Sequence, residues 1–327
     1  MTLPRTALAM ETDAADAVFT PAALTALGEV CDLAPGLITD FGSAHEVLRD
    51  VEVLVTGWGC PPIDEEVLSN SPKLRAIVHA AGSVRGHVTE ACWERGILVS
   101  SAASANALPV AEYTLAMILL SGKRVLERAH ELRTSRTRDY WLATPQSIGN
   151  YGRTVGILSA SMIGRRVIEL LRPFDFKVLL HDPYATDAAE LGVTAVSIEE
   201  LFASSDVVSV HTPLLPETRG LVRRSLIFSM RKDAVLINTA RGAVVDQEAL
   251  LDAEHIRAIL DVTDPDVLPP QHPLWQRENI IITPHLAGSQ GNEWQRLASL
   301  ASTEVRRYAA GEPFAFSVLR ERFDQLA

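Results

Sequence analysis

The chain has 327 residues, 47% hydrophobic and 22% charged, which suits about two globular domains and excludes a largely disordered chain. Its formal charge of −11, from 30 Lys and Arg against 41 Asp and Glu, argues against a nonspecific nucleic-acid partner, because phosphate contacts need basic patches. Cys31, Cys60 and Cys92 are far apart and odd in number, so they suggest no disulfide framework and no metal knuckle, and they suit a reducing, cytoplasmic compartment.

At the start of the chain, the early acids Glu11, Asp13 and Asp16 and the brief apolar stretch Ala7-Leu8-Ala9-Met10 do not read as a signal peptide. No apolar window is expected to reach membrane-spanning length, so a soluble protein without membrane contact is predicted. Short β-branched runs predict strands at 6–10, 51–56, 74–80 and 97–101, then at 154–158, 177–181, 207–211, 234–239, 257–262 and 279–283. Most are continuous apolar runs, the mark of parallel strands buried on both faces by helices. Their alternation with amphipathic helices predicts doubly wound parallel-sheet α/β architecture.

The rhythm breaks at 106–133. Asn106 as a cap, Pro109 in the first turn and Glu112 near the positive end predict one long helix, with Leu115, Ile118, Leu119 and Leu126 at helical spacing. A helix of that length between two α/β blocks reads as a connector and places a domain boundary near residue 105. The polar segment 134–153 reads as a loop. Lys123, Arg124, Arg128, Arg133, Arg136 and Arg138 form the one basic run, read as a solvated face or subunit contact, with an anion site as the alternative.

The predicted strand 154–158 leads into Ser159-Ala160-Ser161-Met162-Ile163-Gly164 and a helix, and the following strand ends beside Asp182. This is the strand–turn–helix–strand–acid layout of a dinucleotide site. Helix N–H groups meet the pyrophosphate, and the acid accepts from ribose hydroxyls, favouring NAD over NADP. Of the glycine fingerprint only Gly164 is in place; Ser159 and Ser161 stand where glycines permit a tight turn and a close approach. If the turn needs positive φ, a Cβ costs about 1–3 kcal/mol, although the hydroxyls can instead donate to phosphate. Taken alone, an ordinary strand-to-helix turn reads equally well.

Downstream come His181-Asp182-Pro183-Tyr184, His211-Thr212-Pro213-Leu214 with Glu217-Thr218-Arg219-Gly220, Ile237-Asn238-Thr239-Ala240-Arg241-Gly242, Ala258-Ile259-Leu260-Asp261-Val262, His272-Pro273-Leu274 and Ile282-Thr283-Pro284-His285. With Val155-Gly156-Ile157 before them, their order and spacing resemble the D-isomer-specific 2-hydroxyacid dehydrogenase family, of the phosphoglycerate dehydrogenase kind, from about residue 50 to about 315. The resemblance implies a Rossmann nucleotide-binding domain, 105–287, inserted into a flavodoxin-like substrate domain made of 1–104 and 288–327, with catalysis in the cleft and a homodimeric assembly. It implies an oxidoreductase that moves a hydride between NAD(H) and a small D-2-hydroxy acid or 2-keto acid.

The cofactor residues so implied are Ser159, Ser161, Met162, Ile163, Gly164, Asp182, Pro183, His211, Thr212, Pro213, Thr218, Thr239, Ala240, Asp261 and Gly288, with Asp261 accepting from the carboxamide. The substrate carboxylate would meet backbone N–H groups of Gly82 and Ser83, with Arg241 and His285 completing the substrate site; Trp58 and His79 are candidates for its lining. Arg85 stands where the family has Asp.

The catalytic assignments are Arg241, Asp266 and His285. A guanidinium grips a carboxylate or carbonyl with forked donors, and an imidazole exchanges protons near neutral pH. Asp266 stands where the family usually has Glu. One methylene less shortens its reach by about 1.5 Å, while hydrogen bonds fail beyond about 3.5 Å. Asp264 is the competing partner for His285. Two other readings remain open on the residues: an NAD(H)-binding sensor or regulatory protein on the same scaffold, and a serine hydrolase built from Ser161, Asp266 and His285 without the G-x-S-x-G elbow. No spacing of His, Cys and carboxylates predicts a metal site.

Overall fold

The structure is a computed structural model and describes residues 3–137 and 141–323. Contacts divide the chain into two compact units, Met1–Asn106 with Ser289–Ala327, and Ala107–Gly288.

In the first unit the strands are β1 (Arg5–Ala9), β2 (Asp32–Ile38), β3 (Val53–Thr56), β4 (Ala76–His79) and β5 (Leu98–Ser101). They form one parallel sheet in the order β2-β1-β3-β4-β5, the flavodoxin-like winding. Neighbouring residues on each strand point to opposite faces. Leu8, Val53, Val55 and Val78 pack with Leu297, Ala301 and Val305 of the helix Trp294–Ala309, while Ala7, Ala9, Leu54 and Ile77 pack with Leu48, Val67 and Cys92. Burial on both faces explains the continuous apolar runs. β2 escaped prediction because Pro35 and Gly36 interrupt it, which an edge strand tolerates.

The second unit holds β6 (Thr154–Leu158), β7 (Lys177–His181), β8 (Thr194–Ala195), β9 (Val207–Val210), β10 (Val235–Asn238), β11 (Arg257–Leu260) and β12 (Ile280–Ile282). The order is β12-β11-β10-β9-β6-β7-β8, all parallel. Winding reverses between β6 and β9, the switch point outside whose carboxyl ends such sheets bind ligands. The loops beginning at Ser159 and His211 emerge there.

The long helix expected over 106–133 is instead two, Ala103–Gly122 and Val125–Ser135, broken at Arg124 with φ +52°. The break coincides with a tertiary contact: Gly149 N donates to Gly122 O at 2.7 Å, and a Cβ on Gly122 would lie on the Asn150 side chain. Asn106 does not cap; it lies inside the first helix and its Oδ1 accepts from Ser289 N at 3.0 Å.

A second correction concerns hydropathy. The helix Ala103–Gly122 is long and apolar enough by length and composition to cross a membrane, contrary to the expectation that no segment reaches that length. It packs Ala111 and Ile118 into the core beside β6, and Tyr113 and Thr114 bond Thr283 and Thr239 at 2.8 and 3.3 Å. On the helix Val125–Ser135, the basic run sits largely in solvent, although Glu127 reaches Arg257 at 2.9 Å. Arg138 of that run lies outside the described residues.

Candidate active site

The loop after β6 is shaped by three contacts. Ser159 takes φ +82°, with its N–H donating to His181 O at 2.9 Å. Its carbonyl faces Gly164, where a Cβ would come within 2.1 Å of that oxygen, so only glycine fits. Ser161 then caps the helix Met162–Leu171 from an extended conformation, φ −60° and ψ 175°, its Oγ accepting from Gly164 N at 3.3 Å. The two serines therefore differ. Ser159 carries the positive-φ strain of about 1–2 kcal/mol, and Ser161 carries none.

Asp182, just past β7, closes the loop. Its Oδ2 accepts from Ser159 Oγ at 3.1 Å and Ala160 N at 2.8 Å, and its Oδ1 accepts from Tyr184 N at 2.8 Å. Arg165 grips the same loop from the helix, donating from Nε to Ala160 O at 2.9 Å while its guanidinium forks onto Asp187. Pro183 is exposed at this edge and Met162 beside the cap is exposed too.

After β9, His211 is buried against Ser209, with Nε2 to Oγ at 2.9 Å; burial pushes its pKa down to about 3, so the ring is neutral. Thr212 is buried beside it. Thr218 ties the next turn, donating to Pro213 O at 2.6 Å and accepting from Leu215 N at 2.7 Å.

After β10 the chain turns at Thr239-Ala240-Arg241. Asn238 spans the turn, accepting from Ala240 N at 3.0 Å and donating to Arg241 O at 2.9 Å. The half-buried Arg241 donates to Ala240 O at 2.7 Å. Gly242 lets this turn press on the segment after β11: a Cβ there would lie 2.0 Å from the Thr263 carbonyl carbon.

That segment carries Asp266, and neighbours hold it in place. Gln247 donates to Asp264 O at 2.7 Å and accepts from Asp264 N at 3.0 Å, while Thr263 Oγ1 lies 2.7 and 2.9 Å from the carbonyls of Pro265 and Asp266. Asp264 turns outward to Arg219 at 3.2 Å. Asp266 reaches His285, with its two oxygens 3.1 and 3.2 Å from Nδ1. His285 itself sits at φ +51° in a turn that the buried Asp261 organises. Asp261 Oδ1 accepts from Thr283 Oγ1 and Leu286 N at 2.7 and 2.9 Å, and Oδ2 from Ala287 N at 2.9 Å. Gly288 follows, partly exposed.

The second unit thus brings together two groups of expected residues: Ser159, Ser161, Gly164 and Asp182 in one, Asp266 and His285 in the other. Ser161 and His285 bond Gly164 and Asp266 rather than each other, so the hydrolase arrangement is not formed. Gln247 and Thr263 were not anticipated; Gln247 acts on a residue 17 positions away and leaves no local signal. In the first unit, Gly82 and Ser83 follow β4. His79 bonds the Ser83 backbone, and Thr56 Oγ1 lies 3.0 Å from both His79 Nδ1 and His87 Nε2. Burial lowers both rings, His87 to about 4 and His79 well below its usual value, so this network is neutral. Trp58 is exposed after β3, and Arg85 donates to Phe323 O at 3.4 Å.

A strand order that reverses beside a capped helix, with an acid at the end of the next strand, defines a dinucleotide-binding α/β unit. Residues 115–287 match the D-isomer specific 2-hydroxyacid dehydrogenase, NAD binding domain. A glyoxylate reductase of Aeropyrum pernix is 34% identical over 260 residues, covering 76% of this chain and 78% of that protein. A D-3-phosphoglycerate dehydrogenase of Mycobacterium leprae is 33% identical over 259 residues, covering 76% of this chain but 48% of that protein, so the match spans about half its length. The D-lactate dehydrogenase of Aquifex aeolicus, solved with NAD and lactic acid, superposes with TM-score 0.70 at 26% identity over 94% of this chain and 96% of that one. The chain belongs to the D-isomer specific 2-hydroxyacid dehydrogenase family, NAD-dependent oxidoreductases acting on CH–OH donors.

Proposed function

We propose that this chain reduces a small 2-keto acid to the D-2-hydroxy acid, with NADH as donor. The observation that carries the reading is the pairing of Asp266 with His285 Nδ1 at 3.1 Å, in the unit that also holds Arg241 and the dinucleotide loop. The loop fits a dinucleotide. Gly164 admits the close strand-to-helix turn, Ser161 caps the helix at Gly164 N with the N–H groups of Met162 and Ile163 before it assigned to a pyrophosphate, and Asp182 is assigned to the ribose. Met162, Ile163, Pro183, His211, Thr212, Pro213, Thr218, Thr239, Ala240 and Gly288 are assigned to the same cofactor by their places in the family's motifs. Oδ2 of Asp261 accepts one protein donor and retains a lone pair for the carboxamide.

Bound NADH supplies the hydride. Asp266 accepts from Nδ1–H of His285 and so leaves Nε2 to carry the exchangeable proton. As the substrate C2 gains hydride and its C=O π bond opens, Nε2 gives its proton to the developing alkoxide. Arg241 binds carboxylate and polarises the carbonyl. Gly82 and Ser83 are assigned backbone donors to the carboxylate. The assembly we propose is a cytoplasmic homodimer. The helix Val125–Ser135 buries none of its residues and exposes Leu126 and Leu132, and all three cysteines are free.

The test is NADH oxidation across a panel of 2-keto acids. Arg241→Ala and His285→Ala are each expected to remove about 100-fold or more of kcat/KM. Full activity in His285→Ala refutes the acid–base assignment. NADH binding without turnover on any acid would favour a sensor instead.

A further inference from the structure

We propose that the Ser159 hydroxyl occupies, on Asp182, an acceptor position that the adenosine ribose of NAD(H) would use, so that cofactor binds against an internal competitor. The inference rests on the NAD(H) reading above and goes beyond it to how tightly this particular loop takes the cofactor.

An ionised carboxylate offers each oxygen about two acceptor directions. On Asp182, Oδ2 already receives Ser159 Oγ–H at 3.1 Å and Ala160 N–H at 2.8 Å, and Oδ1 receives Tyr184 N–H at 2.8 Å. Three of about four positions are filled from within the chain. A ribose presents two vicinal hydroxyls, and one carboxylate normally serves the sugar at this point of the fold. With Ser159 in place a single position is left. The two backbone donors belong to the loop's shape and stay. The serine hydroxyl is the one donor that can rotate away.

The position of Ser159 is forced, which makes the competition persistent. Its N–H is bound to His181 O at 2.9 Å, and its carbonyl abuts Gly164, so φ is held at +82°. From that backbone the side chain projects over Asp182 and gains a charge-assisted hydrogen bond there. A glycine at this position would present neither the hydroxyl nor the Cβ.

The experiment is a fluorescence titration of the full chain with NADH, comparing wild type, Ser159→Ala and Ser159→Gly, each checked for folding by its thermal transition. Ser159→Ala removes the hydroxyl and keeps the Cβ; it is expected to lower Kd about five- to tenfold, and Ser159→Gly at least as much. With the 2′-deoxyadenosine analogue of NADH, the gain in Ser159→Ala should shrink to about twofold or less, because one of the competing hydroxyls is gone. Equal or weaker NADH affinity in both variants overturns the competition and leaves the NAD(H) reading standing. So does an equal gain with the deoxy analogue. No binding by any of the three proteins overturns the NAD(H) reading and this inference with it.

Discussion

The cofactor loop and the acid–base segment lie in one unit and are held by different means. In the loop, the replaced residue makes the new bond itself: Ser159 stands at φ +82° and reaches across to Asp182. In the acid–base segment the short carboxylate does nothing unusual, and its neighbours bring it within range. Gln247 fixes Asp264 by both backbone groups, Gly242 lets the Arg241 turn close on Thr263, and Asp261 sets the turn that carries His285. On the proposed assignments, a side-chain departure answered by the backbone would preserve the geometry of the reaction. One answered by a new side-chain bond would change what the site offers a ligand.

The hardest test of that contrast is Asp266→Asn. An amide in place of the carboxylate no longer fixes Nδ1–H on His285, and kcat is expected to fall about 100-fold, equivalent to about 2.7 kcal/mol. Asp266→Glu, which restores the usual length, should stay within about threefold of wild type if backbone placement has already matched the pair. Steady-state NADH oxidation reads both, and an Asn variant of normal rate would dissolve the dyad. Gly164→Ala probes the other region. Its Cβ would sit 2.1 Å from Ser159 O, so the loop must open, at a cost of about 1–3 kcal/mol in denaturant unfolding. An unchanged midpoint would mean the strand-to-helix turn is slack.

Gln247→Ala separates the two mechanisms more finely. Without its paired bonds to Asp264 the segment loosens, and kcat should drop about tenfold while the Kd for NADH holds. In an Asp266→Glu background the same replacement should cost about threefold or less, since a longer carboxylate tolerates a less exact backbone. Equal losses in both backgrounds would assign Gln247 to general stability.

These details were unevenly legible in the chain. The need for Gly164 is local and was visible in the motif. The two-face burial of β3, β4 and β6 was visible as unbroken apolar runs, whereas β2 hid behind Pro35 and Gly36 at a sheet edge. Ser159 and Ser161 looked alike because residue type does not reveal φ. The segment that carries Asp266 is tied by Gln247, whose bond to Asp264 spans 17 positions. The split of the predicted helix at Arg124 coincides with Gly122 closing on Asn150, again a tertiary contact.

The smallest expected effect compares like with like inside the loop. Ser161 uses a lone pair to cap Gly164 N at 3.3 Å and keeps its proton for an incoming phosphate oxygen. Ser161→Ala should therefore lower stability by about 0.5–1 kcal/mol and weaken NADH binding by about two- to fivefold. Ser161→Gly, which retains the cap backbone without a Cβ, should cost only a few tenths of a kcal/mol in stability. The same Ser-to-Ala replacement two residues earlier is expected to strengthen binding. Opposite signs at positions 159 and 161, read in one titration, would show that φ decides what a serine does in this loop. Equal signs would mean that the loop responds to lost hydroxyls generally, and that the difference in backbone conformation has no consequence for the cofactor.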